Sequence, residues 1–420
     1  MWTLFKLALR NVFRYKRRTI ITFSAISLGL GLLVIGMSLY EGADKQTFNS
    51  IINTQTGHLK ILAQGYFENR DDLPLKYTLD DPQQLKRIVR NTPGITEVES
   101  RILFQATLIN GTDELPCLGM GIEPETDAVV FKIKESLKKG EFLEETDQKI
   151  LIGQSLAKDL GLDVGDVCVL RMFISTEDLV WNALDLEIKG IFETENPIVD
   201  NSTVFIPLPL AQKNLGLENT VTEMAVRIDD QEQLTNIKAS LEESFSSAGI
   251  HPRIVSFREI SSDFIELARM KSRVQALIPL IMLLIATLGI VNTMLMAVME
   301  RVREIGMLAA MGMRKKEIMF LFVAEGSLIG FFGSLTGCFL GGLGGWYLET
   351  KGLDFSFLGE DIIDSIMSSF PVKDVFYGDL TTGILLFTLI FGTAIAALVS
   401  LYPAYRAAKL DPAKALRDTG

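Results

Sequence analysis

The sequence predicts a membrane protein with four transmembrane α-helices and a large α+β extracytoplasmic domain inserted between the first and second spans. Two compositional features support this fold class. The mean hydropathy is +0.27, which favours membrane segments, whereas charged residues make up 22% of the chain, which excludes a chain buried in lipid throughout. In addition, there are four apolar runs, each long enough at roughly 20 residues to cross a bilayer.

The chain begins with a basic amphipathic segment, residues 1–18, which we expect to be a cytoplasmic interfacial helix. Trp2, Phe5 and Leu9 recur on one helical face, whereas Lys6 and Arg10 lie on another, a pattern typical of a helix on the inner leaflet. Residues 19–40 form the first predicted span. A cleaved signal peptide is the alternative, but the run is longer than a signal-peptide core and no A-x-A-like site follows it.

Three further spans are predicted at residues 276–299, 318–348 and 380–402. Basic residues cluster before the first span, in the segment 300–317 and in the tail 403–420. Under the positive-inside rule these clusters are cytoplasmic, so both termini are expected in the cytoplasm. The domain 41–275 and the acidic loop 349–379 are then extracytoplasmic. Because the formal net charge of −11 is segregated in this way, it indicates membrane topology and no nucleic-acid partner.

The outer domain, residues 41–275, has the patterns of an α+β fold. Branched apolar segments at 58–63, 204–208 and 224–228 predict strands, and the segment 81–95 predicts a helix that stops at Pro93-Gly94. Neither a catalytic motif nor a metal-ligand spacing occurs, so no catalytic residue and no metal site is predicted. Cys117 and Cys168 either pair in an oxidising compartment or remain free. Trp181 either contacts a partner or an acyl chain, or fills the core.

Two kinds of residue stand out within the predicted spans. Asn292 in the second span and Glu325 in the third are polar, and a buried glutamate in a membrane indicates either a functional site or a hydrogen bond that fixes helix packing. Small residues at a spacing of four let another helix approach closely, within the protomer or from another subunit. The third span has six glycines in two such series: Gly326, Gly330, Gly333, Gly337, Gly341 and Gly345.

The segment between the second and third spans carries the most specific pattern. It reads MERVREIGMLAAMGMRKKEIM over residues 299–319, with apolar residues at helical spacing among charges. The chain contains no G-x-x-x-x-G-K-[ST] motif, so it is not expected to bind ATP through a P-loop.

Three segments resemble the MacB/FtsX-type, or type VII, ABC transporter permeases. They are GIVNTMLMAVMERVREIGMLAAMGMRKKEIMFLFVAEG (289–326), LALRNVFRYKRRTI (7–20) and YPAYRAAKLDPAKALR (402–417). Within the outer domain, residues 150–170 and 188–208 are similar to the MacB-like periplasmic core domain. The segment 57–75 is most similar to the lipoprotein-releasing LolC/LolE-like permeases.

The resemblance implies a mechanotransmitting permease of a bacterial inner membrane that pairs with a second permease, as a homodimer or heterodimer. A cytoplasmic ABC ATPase dimer would bind ATP and Mg, so this chain is expected to be no enzyme and to hold no cofactor. In the family, the helix between the second and third spans sits in a groove of the ATPase. This carries over to Glu300, Arg301, Arg303, Glu304, Ile305, Gly306, Met307, Leu308, Met311 and Gly312.

The family admits more than one cargo. The primary expectation is extraction of lipoproteins from the inner membrane, with membrane lipids, a lipoprotein cargo and a periplasmic carrier as partners. Efflux of a peptide, antibiotic or toxin with a periplasmic adaptor is one alternative. Regulation of a periplasmic cell-wall hydrolase, in the manner of FtsX, is an alternative of another class.

Overall fold

The computed structural model describes residues 2–14, 16–175, 180–194, 196–261, 298–354 and 375–409, together with isolated positions between 281 and 296. The chain forms two compact units. The first comprises Met1–Lys45, Ala268–Asp354 and Val375–Gly420, and the second comprises Gln46–Leu267 and Phe355–Asp374. Long apolar helices make up the first unit as described, and a large sheet with short helices makes up the second.

Two helices open the chain, α1 (Trp2–Arg14) and α2 (Lys16–Ile51). Ala8 and Val12 of α1 are buried, whereas Trp2 and Phe5 are exposed, with ring centroids 6.1 Å apart. α2 carries the first apolar run and continues through a π-helical turn, Ile52–Thr56, that ends at Gly57. The φ of Gly57 is 63°, a left-handed conformation that glycine adopts without steric cost at a helix end.

Ten strands of the second unit form one sheet, and two short strands, β2 and β10, pair separately. The strands are β1 (Leu59–Leu62), β2 (Leu79–Asp80), β3 (Ile95–Asn110), β4 (Asp113–Ile122), β5 (Leu137–Gly140), β6 (Lys149–Gly153), β7 (Val167–Ser175), β8 (Val180–Phe192), β9 (Thr203–Pro207), β10 (Thr220–Val221), β11 (Glu223–Ile228) and β12 (Arg253–Ser256).

β3 organises this sheet because its two halves pair with different strands. The first half pairs with β11, and β11 continues through β1 to β12. The second half pairs with β4 on one side and β7 on the other. From β4 the pairing passes through β9, β6 and β8 back to β7. Six strands therefore form a closed ring, and β5 extends it at β8.

The side chains of β3 follow this division. In its second half, Phe104, Ala106 and Leu108 are buried and alternate with less buried neighbours, as expected of a strand with one face toward a core. Cys117 and Cys168 join the same core as buried free thiols. Of the two states left open for these cysteines, the structure therefore has the unpaired one.

Among the described residues of the second unit, seven α-helices accompany the sheet. α3 begins at Pro82, with the side chain of Asp81 accepting a hydrogen bond from Gln84 N at 3.2 Å, so an aspartate cap and a proline set its start. The strands predicted at 58–63, 204–208 and 224–228 are present as β1, β9 and β11. The helices are α3 (Pro82–Arg90), α4 (Pro124–Val130), α5 (Gln154–Leu160), α6 (Pro197–Ser202), α7 (Leu208–Leu215), α8 (Leu234–Ser247) and α9 (Phe257–Ile260).

In the first unit, the described residues from 301 onward form α10 (Val302–Ala310), α11 (Lys315–Lys351) and α12 (Thr382–Ala408). Between α11 and α12, the short strands β13 (Leu353–Asp354) and β14 (Val375–Phe376) pair with one another. Asp379 N then donates to Ser38 O of α2 at 2.8 Å, and Lys45 Nζ lies 2.8 Å from Asp379 Oδ2. The start of α12 is thereby tied to α2.

Within the described residues, three helices are long and apolar enough to cross a membrane: Thr19–Thr56, Lys315–Lys351 and Thr382–Ala408. They contain the spans predicted at 19–40 and 318–348, and most of the span predicted at 380–402. Each is longer than the apolar run that predicted it, because polar residues at the ends of a run continue the helix. Most of the span predicted at 276–299 and most of the loop 349–379 lie outside the described residues.

Candidate coupling site

α10 divides the predicted coupling residues into a buried and an exposed set. Ile305 is 3% exposed and packs with Ile318 and Phe322 of α11. On the opposite face, Met307 is 45% exposed and Met311 is 77% exposed. Two of the remaining residues, Arg301 and Gly306, are buried, Glu304 and Leu308 are half-buried, and three are exposed: Glu300, Arg303 and Gly312.

The buried members of this set contact their own chain, so the surface open to a partner is narrower than the sequence predicts. Arg301, Ile305 and Gly306 face inward, and the exposed strip is formed by Met307 and Met311. The amphipathic spacing predicted this helix. It did not show which apolar residues pack against α11 and which remain on the surface.

A four-residue turn separates α10 from α11, so the segment predicted as one helix at 300–317 is not continuous. Gly312 has a φ of 94°, and Met313 N donates to Leu308 O at 3.1 Å, a common way to end a helix at a glycine. Arg314 N then donates to Glu317 Oε2 at 2.7 Å and caps the start of α11. Gly312 therefore reverses the chain immediately after the exposed Met311.

Glu325 lies on α11 and is completely buried. Arg301 Nη1 donates hydrogen bonds to both carboxylate oxygens of Glu325, at 3.0 Å to Oε2 and 3.3 Å to Oε1. Both interpretations of a glutamate in a span, a functional site and a hydrogen bond that fixes helix packing, remain predictions. The structure thus brings together a predicted coupling residue and a predicted intramembrane residue that are 24 positions apart.

The glycines of α11 mark close approaches to α2 and α12. A Cβ added at Gly341 would lie 2.7 Å from Gly31 O, and one at Gly337 would lie 2.9 Å from Ser27 O, so side chains larger than hydrogen do not fit there. Gly333 likewise faces Ile26 of α2. The other glycines also lie on this packed side: Gly326 is buried, Gly330 faces Ala396, and Gly345 lies near Leu380 and Ser38.

Asn292 is helical and exposed in the structure. Trp181 lies at the start of β8 and is 52% exposed. Its ring packs edge-on against Phe173 of β7 at 5.4 Å, and the Arg171 guanidinium lies 5.0 Å from the ring centroid. Trp181 therefore does not fill the core; it forms part of an aromatic surface on the β7–β8 hairpin.

The outer unit also contains a buried charge cluster that sequence reasoning missed. Arg101 of β3 lies between two carboxylates, with Nε 3.2 Å from Glu99 Oε1 and Nη2 2.5 Å from Asp127 Oδ2. All three side chains are fully buried, and the guanidinium lies 3.3 Å from the centroid of the Phe131 ring. Nearby, Lys60 Nζ pairs with Glu223 at 2.7 Å.

Burial sets the protonation of this cluster. Desolvation raises the pKa of Glu99 well above its usual range, and it raises the pKa of Asp127 as well. Arg101 opposes both effects by favouring the charged carboxylates. The sequence did contain a signal, because Glu99 and Arg101 interrupt a strand whose neighbours Val98 and Ile102 are apolar. Charges in such a run are normally assigned to a solvated face.

The apolar helices, the sheet domain and the partly exposed helix α10 define a membrane permease with a large extracytoplasmic domain. Two family models agree with this class. The MacB-like periplasmic core domain matches residues 19–244, and the FtsX-like permease C-terminal model matches residues 276–412. The chain belongs to this family, the type VII ABC transporter permeases.

Individual relatives fall in the same family. The lipoprotein-releasing system transmembrane protein LolC of Neisseria meningitidis is 26% identical over 407 residues, which cover 95% of this chain and 94% of the relative. The macrolide export ATP-binding/permease protein MacB of Vibrio parahaemolyticus is 23% identical and covers 98% of this chain, but only 59% of the relative is matched. The periplasmic region of MacB from Actinobacillus actinomycetemcomitans superposes with a TM-score of 0.38 at 16% identity, over 51% of this chain and 95% of that chain.

Proposed function

We propose that this permease is driven by a separate cytoplasmic ABC ATPase, which binds the exposed face of α10. The carrying observation is that Met307 of α10 and Met311, directly after it, are exposed, whereas Ile305 on the other face packs against α11. Exposed methionines make an adaptable apolar contact. Arg303 and Glu300 are exposed on the same short segment and would set the orientation of the partner.

This assignment places the nucleotide chemistry in the partner. The ATPase dimer would bind ATP and Mg, and this chain would convert the closing of that dimer into movement of its spans. It would do so together with a second permease in the inner membrane. α10 is suited to receive the movement because it is joined to α11 by only the short turn at Gly312.

Replacing Met311 tests the assignment. Met311→Asp puts a charge on the proposed contact, so we expect co-purification of the ATPase to fall at least about tenfold, which corresponds to roughly 1.4 kcal/mol. Met311→Leu keeps an apolar side chain and serves as the matched control, with co-purification near that of the unmodified chain. Equal recovery of the ATPase with both variants would show that α10 is not the contact.

We propose lipoproteins as the cargo, extracted from the inner membrane for transfer to the outer membrane. The support comes from the relatives that match nearly all of this chain: LolC of Neisseria meningitidis over 95% of it and LolE of Haemophilus influenzae over 94%, both lipoprotein-releasing system proteins. The aromatic surface at Trp181 and Phe173 is the proposed contact for a periplasmic carrier, since exposed aromatic side chains are favoured at interfaces. A photo-crosslinker placed at Trp181 should capture that carrier.

Depletion of the protein tests the cargo. If lipoproteins are the cargo, mature lipoproteins that normally reach the outer membrane should accumulate in the inner membrane, and fractionation with immunoblotting measures this. A catalytically inactive ATPase partner should give the same distribution. An unchanged distribution would refute lipoprotein release.

Export of a small compound is the second candidate, and the MacB relative, matched over 98% of this chain, is the observation that favours it. In that case depletion would raise the sensitivity of the cells to exported compounds and leave the lipoproteins in place. The two readouts separate the candidates within one strain.

A further inference from the structure

The ion pair between Arg301 and Glu325 joins α10 to the interior of α11. Arg301 lies immediately before α10 and its side chain is 4% exposed, while Glu325 is fully buried in the N-terminal part of α11. The distance from Arg301 Nη1 to Glu325 Oε2 is 3.0 Å. A charge-assisted contact of this length is strongly oriented, because the guanidinium is planar and its donors point in fixed directions.

The pair is one link in a series of charges across three helices. Arg301 Nε lies 3.3 Å from Glu304 Oε2 within the α10 segment. Glu304 Oε1 in turn lies 3.6 Å from Arg14 Nη1 at the end of α1. Exposure increases along the series, from none at Glu325 to 60% for the side chain of Arg14. The link between Arg301 and Glu325 is therefore the one that water screens least.

Apolar packing alone does not account for this pair. Ile305 already packs α10 against Ile318 and Phe322 of α11. A buried ion pair adds little to folding stability, because desolvation of both charges offsets their attraction, and apolar side chains of similar volume often serve equally well. An ion pair does restrict rotation and sliding more than apolar contacts do, since its energy depends on direction and distance.

We propose that Arg301 and Glu325 are positioning residues that lock α10 to α11, so that a displacement of α10 is passed to the span as a rigid-body movement. This inference rests on the proposed function for its biological meaning. Arg301 then acts inside this chain and not on the ATPase. Met307 and Met311 receive the force, and the ion pair prevents its loss in the turn at Gly312.

The lock is tested by a distance measurement on the intact chain in lipid nanodiscs, without the ATPase. Spin labels are placed at Ala310→Cys and Leu335→Cys, both exposed, after replacement of the three natural cysteines by alanine. The unmodified pair should give one narrow distance. Glu325→Gln should abolish it and give a broad distribution. Glu349→Gln, an exposed glutamate at the other end of the same helix, is the matched control and should keep the narrow distance.

A double variant separates positioning from mere stability. Arg301→Met with Glu325→Met removes both charges of the pair together, so the chain should fold and insert as usual even if Glu325→Gln alone does not. We expect its label distance to remain broad. In the complex, we expect ATP hydrolysis to continue while ATP-dependent cargo release is lost. A narrow native distance in the double variant, or in Glu325→Gln, would overturn the proposal.

The two proposals fail differently. If the ATPase does not bind α10, Met311→Asp has no effect, while the label distances still report on the lock. If the lock is absent, Met311→Asp still releases the ATPase, while the distances in all variants stay narrow.

Discussion

At the residue scale, buried polar side chains of the outer unit are held by specific partners, and burial shifts the pKa of His58 far from its usual value. His58 Nδ1 accepts a hydrogen bond from Ile228 N at 3.4 Å, and Nε2 lies 3.4 Å from Gln231 Nε2. Burial, together with the charge of Arg227, lowers the pKa of His58 to about 4. The imidazole is therefore neutral in the folded domain at pH 7.

This shift predicts a loss of stability in acid. Between the ordinary pKa of 6.5 and about 4, the unfolded chain binds a proton at His58 that the folded domain does not. The stability that His58 contributes is present above pH 6.5 and decreases as the pH falls toward 4. We expect a loss of about 1–2 kcal/mol between about pH 7.5 and about pH 5.

Urea unfolding of the whole chain in detergent at each pH measures this loss of stability. Trp181 fluorescence is the probe, in a chain that also carries Trp2→Phe and Trp346→Phe. The carboxylates of the Glu99 cluster add an opposite trend, because groups with a raised pKa favour the folded state at low pH. His58→Gln isolates the histidine contribution, since its pH dependence should be smaller by that amount. A slope identical to that of the unmodified chain would contradict the assignment.

At the element scale, α11 is the helix on which the first unit is assembled. Its glycine face receives α2 closely enough for the backbones to approach at Gly31, and it packs on α12 through Gly330. Its N-terminal part carries the capping contact of Glu317 and the buried Glu325. The same helix thus combines close packing in the membrane with an oriented contact to α10.

The close approach predicts that neighbouring glycines respond differently to the same substitution. Gly341→Ala would bring a Cβ within 2.7 Å of Gly31 O, whereas Gly342→Ala would meet Leu385 at an ordinary 3.7 Å. We expect Gly341→Ala to cost about 1–3 kcal/mol through overpacking. Gly342→Ala should be neutral or slightly stabilising. Thermal unfolding in detergent compares the midpoints of the two variants, and equal midpoints would argue against close packing at Gly341.

Sequence patterns predicted helix α11 well, and they predicted its contacts with other helices less well. Apolar runs and glycine spacing predicted the span at 318–348 and its smooth face, because both depend on local periodicity. The pairing of Arg301 with Glu325 could not be predicted, since nothing local links two charges 24 residues apart. Glycine at position 312 was assigned to a partner contact, whereas its positive φ shows that the turn itself requires it.

In the outer domain, too, local sequence patterns predicted individual strands but not how the strands pair. Branched apolar segments predicted β1, β9 and β11 from composition and alternation. The ring closure through β7 was not predictable, because pairing between distant strands depends on which faces meet in three dimensions. The burial of Glu99 and Arg101 followed from that pairing and so was missed as well.

At the scale of the whole molecule, charge is distributed unevenly along the chain. The first 19 residues carry basic side chains and no acid, while the net charge of the whole chain is −11. We propose that the termini are cytoplasmic and that the sheet domain is extracytoplasmic, in line with the positive-inside rule.

Single cysteines and a membrane-impermeant maleimide test this orientation in intact spheroplasts. Asp113→Cys, at the exposed start of β4, should be labelled before lysis. Lys6→Cys, on the exposed side of α1, should be labelled only after lysis. Cys117 and Cys168 should stay unmodified in the folded chain, because burial raises the pKa of their thiols to about 12 and about 11. Labelling of Lys6→Cys before lysis would reverse the orientation.

The closed ring of strands limits how an extended peptide can dock. Each of β3, β4, β6, β7, β8 and β9 has a hydrogen-bonded partner on both sides. β5 and β12 each lie at an end of the strand order and have one partner within the sheet. Peptide recognition by β-augmentation needs an open edge, so a ligand that meets the ring itself must be recognised through side chains. The ring is equally protected from the edge-to-edge association that leads exposed sheets to aggregate.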